Sequence, residues 1–385
     1  MIGILYPPSL LKRLMSGQSS FEKPAFYIAA ARKEGEEIIF FSLFDIHWSK
    51  NTVLGWTGTA RVERPLPAVI INRTRTNLLY VKRAILRLKQ MGKVIFNQHN
   101  VVSKLRIHRI LSENELLLPH LPMTDDVTYD SVKQLLDQNA CLFLKPRTSS
   151  VGNGIIRVRK ENEDMIAEIN MLGRTKRKKV GIHQLVNIVK AKKQNYLVQQ
   201  GIAMMKYKDS PVDFRVSVQK NGSGVWQYTG MVGKVARKGA IVTNIHCGGD
   251  SLKASELFEH WGWNAAGVEQ KIARMALRIA STLDEELPHI ADLGLDIAID
   301  EAQHPWLIEV NFRDLRITFQ IAGEREKWRA TFATPVKYAA YLNRQIKARE
   351  RMNRRAQNAA VAAKGTAGES GAVPADRPGA EPALP

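Results

Sequence analysis

DLGLDIAIDEAQHPWLIEVN, residues 292–311, decides how the rest of the chain is read. Leu293, Leu295, Ile297 and Ile299 alternate with other residues, residues 306–310 form a β-rich run, and the polar stretch 300–304 turns between them. The pattern is a rigid hairpin with Asp296, Glu309 and Asn311 at the ends of two adjacent strands. Three hard oxygen ligands then converge on one point. Such a set suits Mg²⁺, with Mn²⁺ as the alternative, and Mg²⁺ usually completes its shell with phosphate oxygens. The implied partner is a nucleoside triphosphate. An ordinary hairpin with polar ends fits the same residues, so the assignment needs support from elsewhere in the chain.

That support lies upstream. CLFLKPRTSSVGNGIIRV, residues 141–158, reads as a strand ending in Lys145, a flexible loop over 147–154 and a second strand. Gly152 and Gly154 let the backbone take positive φ and turn its N–H groups toward an anion, while Lys145 supplies a point charge for phosphates. No Gly-Lys-Ser/Thr follows and the lysine precedes the glycines, so this is not a Walker loop. A plain hairpin with a glycine-rich turn is the competing reading.

Further signals follow in a fixed order: Lys104 in NVVSKLRIHRIL, Lys145 with SSVGNG, the hinge YLVQQGI, the segment DFRVSV, the run GKVARKGAIVTNIHCGG and the closing D…EVN. In this order and spacing the chain resembles the ATP-grasp proteins, specifically the YheC/YheD group described as endospore coat-associated, over about residues 1–343. The resemblance implies an ATP-grasp fold, α/β (α+β) in class, with an α/β N-terminal lobe ahead of it. It also implies that Lys104, Lys145 and the loop of Ser149, Ser150, Gly152 and Gly154 hold phosphates. The hinge of Gln199, Gln200, Gly201 and Ile202 would face adenine, and Asp213 the ribose. Asp296, Glu309 and Asn311 would carry magnesium. Arg215, Lys234, Arg237 and Asn244 would surround the γ-phosphate and any acyl phosphate.

Two departures matter. The adenine hinge of such proteins commonly has an acidic residue where Gln200 stands, so the base must be read by backbone carbonyls or the amide oxygen. After Asn311 the chain reads FRDLRITFQIAGE, not the Asn-x-x-Pro-Gly of many peptide-ligating relatives, so their acceptor chemistry does not transfer. The implied reaction is ATP-dependent activation of a carboxylate as an acyl phosphate, then displacement by an amine, with Arg215 and Arg237 stabilising developing charge. A weakly catalytic coat component and a phosphotransferase using the same ATP site are the other readings; fold alone does not choose among them.

Composition sets the limits. The 385 residues are 44% hydrophobic, enough for at least two cores. No run of ~18 apolar residues occurs, and the opening MIGILYPPSLLKR is broken by two prolines, so neither export nor a membrane span is expected. Cys141 and Cys247 are the only cysteines, which fits a reducing cytoplasm. The net charge of +20 is concentrated: residues 64–112 hold eleven Lys or Arg and 174–193 hold eight, with no acid in either stretch. Tyr80 and Phe96 are their only aromatics, so a base-stacking platform for single strands is missing. The expected partner is therefore an anionic carboxylate, small molecule or peptide, with coat proteins as a further partner; nucleic acid is not the expected partner, although duplex binding by charge alone stays open. The run 174–179 reads as a solvated helix face.

Along the chain we expect four segments. Residues 1–99 form an α/β lobe, with helices over 21–35 and 77–91 and strands over 37–42, 68–72 and 93–96. Residues 100–198 form a middle lobe that includes a helix around 103–112 and another at 129–139. Residues 199–345 hold strands at 213–219 and 226–235, a helix within 267–283 and the metal hairpin. A last helix covers 334 to about 355. Residues 346–385 are a basic helix end and an Ala/Gly/Pro-rich tail, with disorder expected from 356 onward.

Overall fold

The computed structural model describes residues 1–98, 100–148, 154–162, 164–171, 174–192, 195–240, 243, 248–287 and 289–368. Residues 1–341 make one compact unit that contains all three sheets, and 342–385 make a second.

In the first sheet β1 (Ile2–Leu5) lies between β2 (Ile38–Phe41) and β6 (Val69–Asn72), parallel to both, and β7 (Val94–Phe96) extends it. The other edge is an antiparallel meander of β3 (Ile46–His47), β4 (Thr52–Trp56) and β5 (Arg61–Pro65). β1, β2 and β6 are buried at every position, as parallel strands covered on both faces must be. The covering helices include α1 (Pro8–Met15), α2 (Pro24–Lys33) and α3 (Leu79–Gln90). The opening prolines, read from sequence only as breakers, sit at the start of α1, where Pro8 lacks only an N–H that the first turn would leave unused.

The second sheet has the order β12-β11-β10-β9-β13-β8, from β8 (Thr124–Asp126), β9 (Cys141–Pro146), β10 (Ile156–Glu161), β11 (Asp164–Met171), β12 (Arg174–Lys179) and β13 (Tyr196–Gln200). Residues 174–179 are thus an edge strand and not the expected helix face. Residues 175–179 are all exposed, which suits either element by charge, and pairing with β11 decides the matter. Lysines on an edge also discourage another strand from adding there.

The third sheet runs β17-β16-β15-β18-β19, with β14 (Lys206–Tyr207) paired to β15 (Ser210–Lys220). Its other members are β16 (Trp226–Val235), β17 (Asp250–Lys253), β18 (Asp292–Ile299) and β19 (Pro305–Asn311). α8 (Ala265–Glu286) packs Ile272, Ala276, Ile279 and Leu283 against it, with α7 (Ala254–His260) alongside. α4 (Lys104–Ser112), expected in the middle lobe, sends Ile107, Ile110 and Leu111 into this same core. The second sheet instead packs on α5 (Tyr129–Gln138) and α6 (Ile182–Lys190).

α9 (Ile317–Ile321) and α10 (Arg325–Gly368) end the described chain. α10 starts nine residues before the expected position and contains Pro335. A proline there cannot donate to the carbonyl four residues back, and the Thr331 carbonyl accepts instead from Gln219 Nε2 at 2.8 Å. α10 also runs through residues 356–368, where disorder was expected; this part is rich in alanine, the strongest helix former. The rest of that tail, 369–385, lies outside the described residues.

A buried ionic network joins the first and third sheets. Arg73, at the end of β6, bonds Glu22 at 2.8 Å, the Asp314 carbonyl at 2.7 Å and Asp292 at 3.4 Å. Arg316 bonds Asp292 and, at 2.6 Å, the Tyr27 hydroxyl. None of these charged side chains is more than 2% exposed. Burial works to raise the Glu22 pKa, but Arg73 and Arg316 outweigh it and hold the carboxyl below its ordinary value.

Removing one partner would strand the others in low dielectric. Arg73→Met should therefore lower unfolding free energy by about 3–5 kcal/mol, against less than about 1 kcal/mol for Arg61→Met in the exposed pair with Asp45. Urea titration of both variants checks this, and equal losses would contradict it.

Candidate functional site

β18 is sandwiched between β15 and β19, so the residues beside it follow from register. Arg215 of β15 faces Asp296, and Asp296 faces Glu309 of β19; Asn311 faces Gly294. Asp296 lies in the middle of its strand, not at an end as the sequence suggested. A register irregularity after Asp296 sits beside this row, as bulges often do next to functional sites. Two residues before Arg215, and hence on the same face, Asp213 faces Lys234 of β16.

The side chains meet as the register requires. Arg215 Nε is 2.8 Å from Asp296 Oδ1, and its Nη1 is 3.0 Å from Asp314 Oδ1. Lys234 Nζ lies 3.1 Å from both Asp213 and Asp296, and the Thr243 hydroxyl donates to Asp213 at 2.6 Å. Lys104 Nζ reaches Glu309 at 2.8 Å. Burial alone would raise the Asp296 pKa and lower that of Lys234; Arg215 and Lys234 reverse the first, and Asp213 and Asp296 reverse the second against Arg215, keeping Asp296 an anion and Lys234 a cation. Asp213 is pushed up to about 6, chiefly by burial and against the pull of Lys234.

The facing wall comes from the second sheet. Lys145 of β9 pairs in register with Leu197 of β13, and its ammonium donates to Gln199 Oε1 at 2.5 Å. A buried ammonium with a neutral amide as its hydrogen-bond partner is poorly compensated. Burial lowers the Lys145 pKa to about 8, against an opposing field from Glu309. The two walls enclose a cleft of about 850 Å³, the size of a nucleotide-scale site.

Of the residues singled out from sequence, Lys104, Lys145, Gln199, Gln200, Ile202, Asp213, Arg215, Lys234, Asp296, Glu309 and Asn311 line this cleft. Gly201 does not: its N–H donates to the Cys141 carbonyl at 2.8 Å, and a Cβ there would come within 2.9 Å of that residue. The Gln200 N–H is likewise taken by the Met123 carbonyl at 2.8 Å, so the N–H groups of both these hinge residues serve the fold. Gly154 has the positive φ expected of it, 79°, but Ile155 and not Gly154 lines the cleft. Arg237 also stands outside the lining. Ser149, Ser150, Gly152 and Asn244 lie outside the described residues. Sequence reasoning missed Thr243, which orients Asp213, and Asp314, which orients Arg215. The only prior signal for Asp314 was an acid set between two arginines in FRDLR.

The donor set fits a hard dication. Asp296, Glu309 and Asn311 offer two carboxylates and an amide oxygen, and Asn311 Nδ2 is buried without a hydrogen-bond partner. Among the described residues no group of three His, Cys, Asp or Glu forms a metal cluster, so the amide is needed to complete the trio. Among the same residues no helix is long and apolar enough to cross a membrane.

The sequence pattern of the family described as YheC/D-like ATP-grasp matches residues 92–342. The endospore coat-associated protein YheD of Bacillus subtilis (strain 168) is 23% identical over 323 residues, 79% of this chain and 70% of that protein. YheC of the same organism, also named endospore coat-associated, is 24% identical over 267 residues, 66% and 71% of the two chains. D-alanyl-alanine synthetase A from Vibrio cholerae O1 biovar eltor is similar in structure, with a TM-score of 0.54 at 12% identity, over 89% of this chain and 98% of that one. The fold is thus the ATP-grasp fold, as the sequence resemblance implied.

A Cβ on Gly294 would lie 2.9 Å from the Asp314 carboxylate and 3.1 Å from Arg215 Nη1. Gly294→Ala should therefore force this pair apart and cost about 1–3 kcal/mol, the usual penalty of overpacking. A thermal unfolding midpoint equal to that of the parent would show that the pair does not need this close approach.

Proposed function

Because the chain belongs to the YheC/D-like ATP-grasp family, we propose that it binds ATP with magnesium in the cleft between the second and third sheets and uses the γ-phosphate to activate a carboxylate for attack by an amine. The observation that carries this reading is the convergence on one cleft of Lys104, Lys145, Asp213, Arg215, Lys234, Asp296, Glu309 and Asn311, drawn from α4 and five strands.

Lys145 and Lys104 would neutralise the triphosphate, and Asp213, oriented by Thr243, would accept from the ribose. Asp296, Glu309 and Asn311 would hold magnesium, which when bound supplies Lewis-acid polarisation of phosphate oxygens. A substrate carboxylate oxygen attacks the γ-phosphorus, the bond to the β–γ bridging oxygen breaks, and ADP leaves behind an acyl phosphate. An amine then adds to the acyl carbon, and phosphate departs with its bonding pair and takes up the proton the nitrogen loses, giving an amide. Arg215, held from both sides by Asp296 and Asp314, is placed to offset charge developing on the phosphoryl and tetrahedral oxygens. Lys234, kept protonated by its two carboxylates, adds a second fixed cation. Positioning and electrostatics carry the reaction, and no side chain is required as a base. Neither Arg237 nor Asn244 is needed for this account. The names of the two curated relatives favour a second reading, an ATP-binding coat component with little turnover.

Lys145→Ala should weaken Mg·ATP binding by about 1.5–3 kcal/mol, the contribution of a charged hydrogen-bond partner. Because the free ammonium titrates near 8 and phosphates favour its charged form, the parent should take up a proton on binding between about pH 8 and 9. Affinity should fall as pH rises through that window. Calorimetry in buffers of different ionisation enthalpy reads both effects; undiminished affinity in the variant, with the same proton uptake, would remove Lys145 from the site.

Glu309→Gln tests turnover. The amide keeps the size and one oxygen but not the charge that holds a hard cation. We expect an unchanged unfolding midpoint and no ADP formation, with both measured on the same sample. Equal turnover in variant and parent would mean the hairpin ligands do no catalysis, and a parent that binds Mg·ATP tightly without turnover would favour the coat reading.

A further inference from the structure

We propose that Arg75, Arg313 and Thr318 form a recognition subsite for a second, non-reacting carboxylate of the substrate, at the side of the cleft next to the first sheet. The inference rests on the function proposed above and adds to it where and by what group the substrate is held.

Five arginines line the cleft, and they fall into two groups. Arg157, Arg215 and Arg316 are ion-paired, to Glu168, to Asp296 with Asp314, and to Asp292. Arg75 and Arg313 have no carboxylate within ion-pair distance among the described residues. Arg313 is half-buried, and its one hydrogen bond, Nη1 to the Arg73 carbonyl at 3.3 Å, leaves the charge unmatched. A guanidinium withdrawn from water without a counter-charge is costly, so its retention in a cleft wall points to an anion that arrives from outside.

The surroundings are built to hold these groups in place. Arg75 stands in a turn fastened on both sides by Asn100, whose Oδ1 accepts from the Thr76 N–H and hydroxyl at 3.0 Å and whose Nδ2 donates to the Thr74 carbonyl at 2.5 Å. Arg313 precedes Asp314, which is fully buried and fixed by Arg215 and Ser217. Thr318, only 5% exposed, lines the cleft with its hydroxyl unpartnered, and Arg316 Nε is unpartnered in the same wall. Two guanidiniums with no carboxylate partner among the described residues, and an unpartnered hydroxyl, therefore occur on segments pinned to one another through the Arg73 carbonyl. Guanidinium forks pair bidentately with carboxylates and phosphates. The triphosphate is already served by Lys104 and Lys145 from α4 and β9, so the anion met by Arg75 and Arg313 belongs to the substrate. Its chemistry is that of a dicarboxylate, or of an amino acid or peptide presenting a free carboxylate.

The test uses the full chain saturated with Mg²⁺ and a non-hydrolysable ATP analogue, titrated by calorimetry at constant ionic strength with glutarate, with its uncharged counterpart glutaramide and with inorganic phosphate. Glutarate should bind saturably and tighter than phosphate, and glutaramide should not bind. Arg313→Met should weaken glutarate at least tenfold and Arg75→Met severalfold, with Arg313→Lys intermediate, while affinity for the nucleotide analogue stays at the parent value. Arg75 is exposed, so its variant keeps the test alive if the Arg313 variants fail to fold. Absence of saturable glutarate binding, equal binding by parent and both methionine variants, or phosphate or glutaramide binding as tightly as glutarate would overturn the subsite. A parent that does not bind the nucleotide analogue would instead sink the proposed function, which separates the two failures.

Discussion

The molecule is organised around a requirement of electrostatics: Arg73, Arg316, Glu22, Asp292 and Asp314 are buried together, and none can stay buried without the others. Two of them belong to the first-sheet region and three flank the β18–β19 hairpin. Satisfying the charges therefore fixes the hairpin against the first sheet. Asp314 carries the constraint onward, since its carboxylate also holds Arg215, and Arg215 holds Asp296. The geometry of the cleft is thus set partly by a network that lies outside it except for Arg316.

Within the cleft the balance of charge differs from wall to wall. On the third sheet cations and carboxylates alternate, and each is matched by a neighbour. On the second sheet Lys145 meets only an amide oxygen, and beside the first sheet Arg75 and Arg313 meet no acid among the described residues. The matched wall holds its shape without a ligand. Of the unmatched groups, buried Lys145 and half-buried Arg313 are those for which an incoming anion changes the energy most, because their desolvation has already been incurred in folding.

Much of this was legible in the sequence because it is local. The alternation at 293–299 located β18, the spacing of Asp296, Glu309 and Asn311 followed from the hairpin, and Lys145 ended a visible strand. Ordered motifs then gave the ATP-grasp fold. What was hidden depends on contacts remote in sequence. Arg73 reaches Asp314 across 241 positions, and nothing local distinguishes either from an ordinary polar loop residue. The run 174–179 was misread because its charges suit any solvated element and its partner β11 lies in a different pattern. α4 was assigned to the wrong core because an apolar stripe records that a helix is buried, not against what. At the hinge, sequence placed Gly201 correctly in the chain but could not show that Cys141 had already claimed its N–H.

Pro335 has a consequence for how α10 is seated. The carbonyl it leaves free can be answered by Gln219 at one angular setting only. Sliding the helix by a single residue would carry that carbonyl roughly 100° around the axis, away from the amide. A helix that packs through apolar side chains alone tolerates small changes of phase, because neighbouring positions offer similar surfaces. Here the vacancy in the helix ladder acts as a key and Gln219, rigid within a buried strand, as its slot. The proline that locally weakens the helix thereby selects one phase for the packed part of α10.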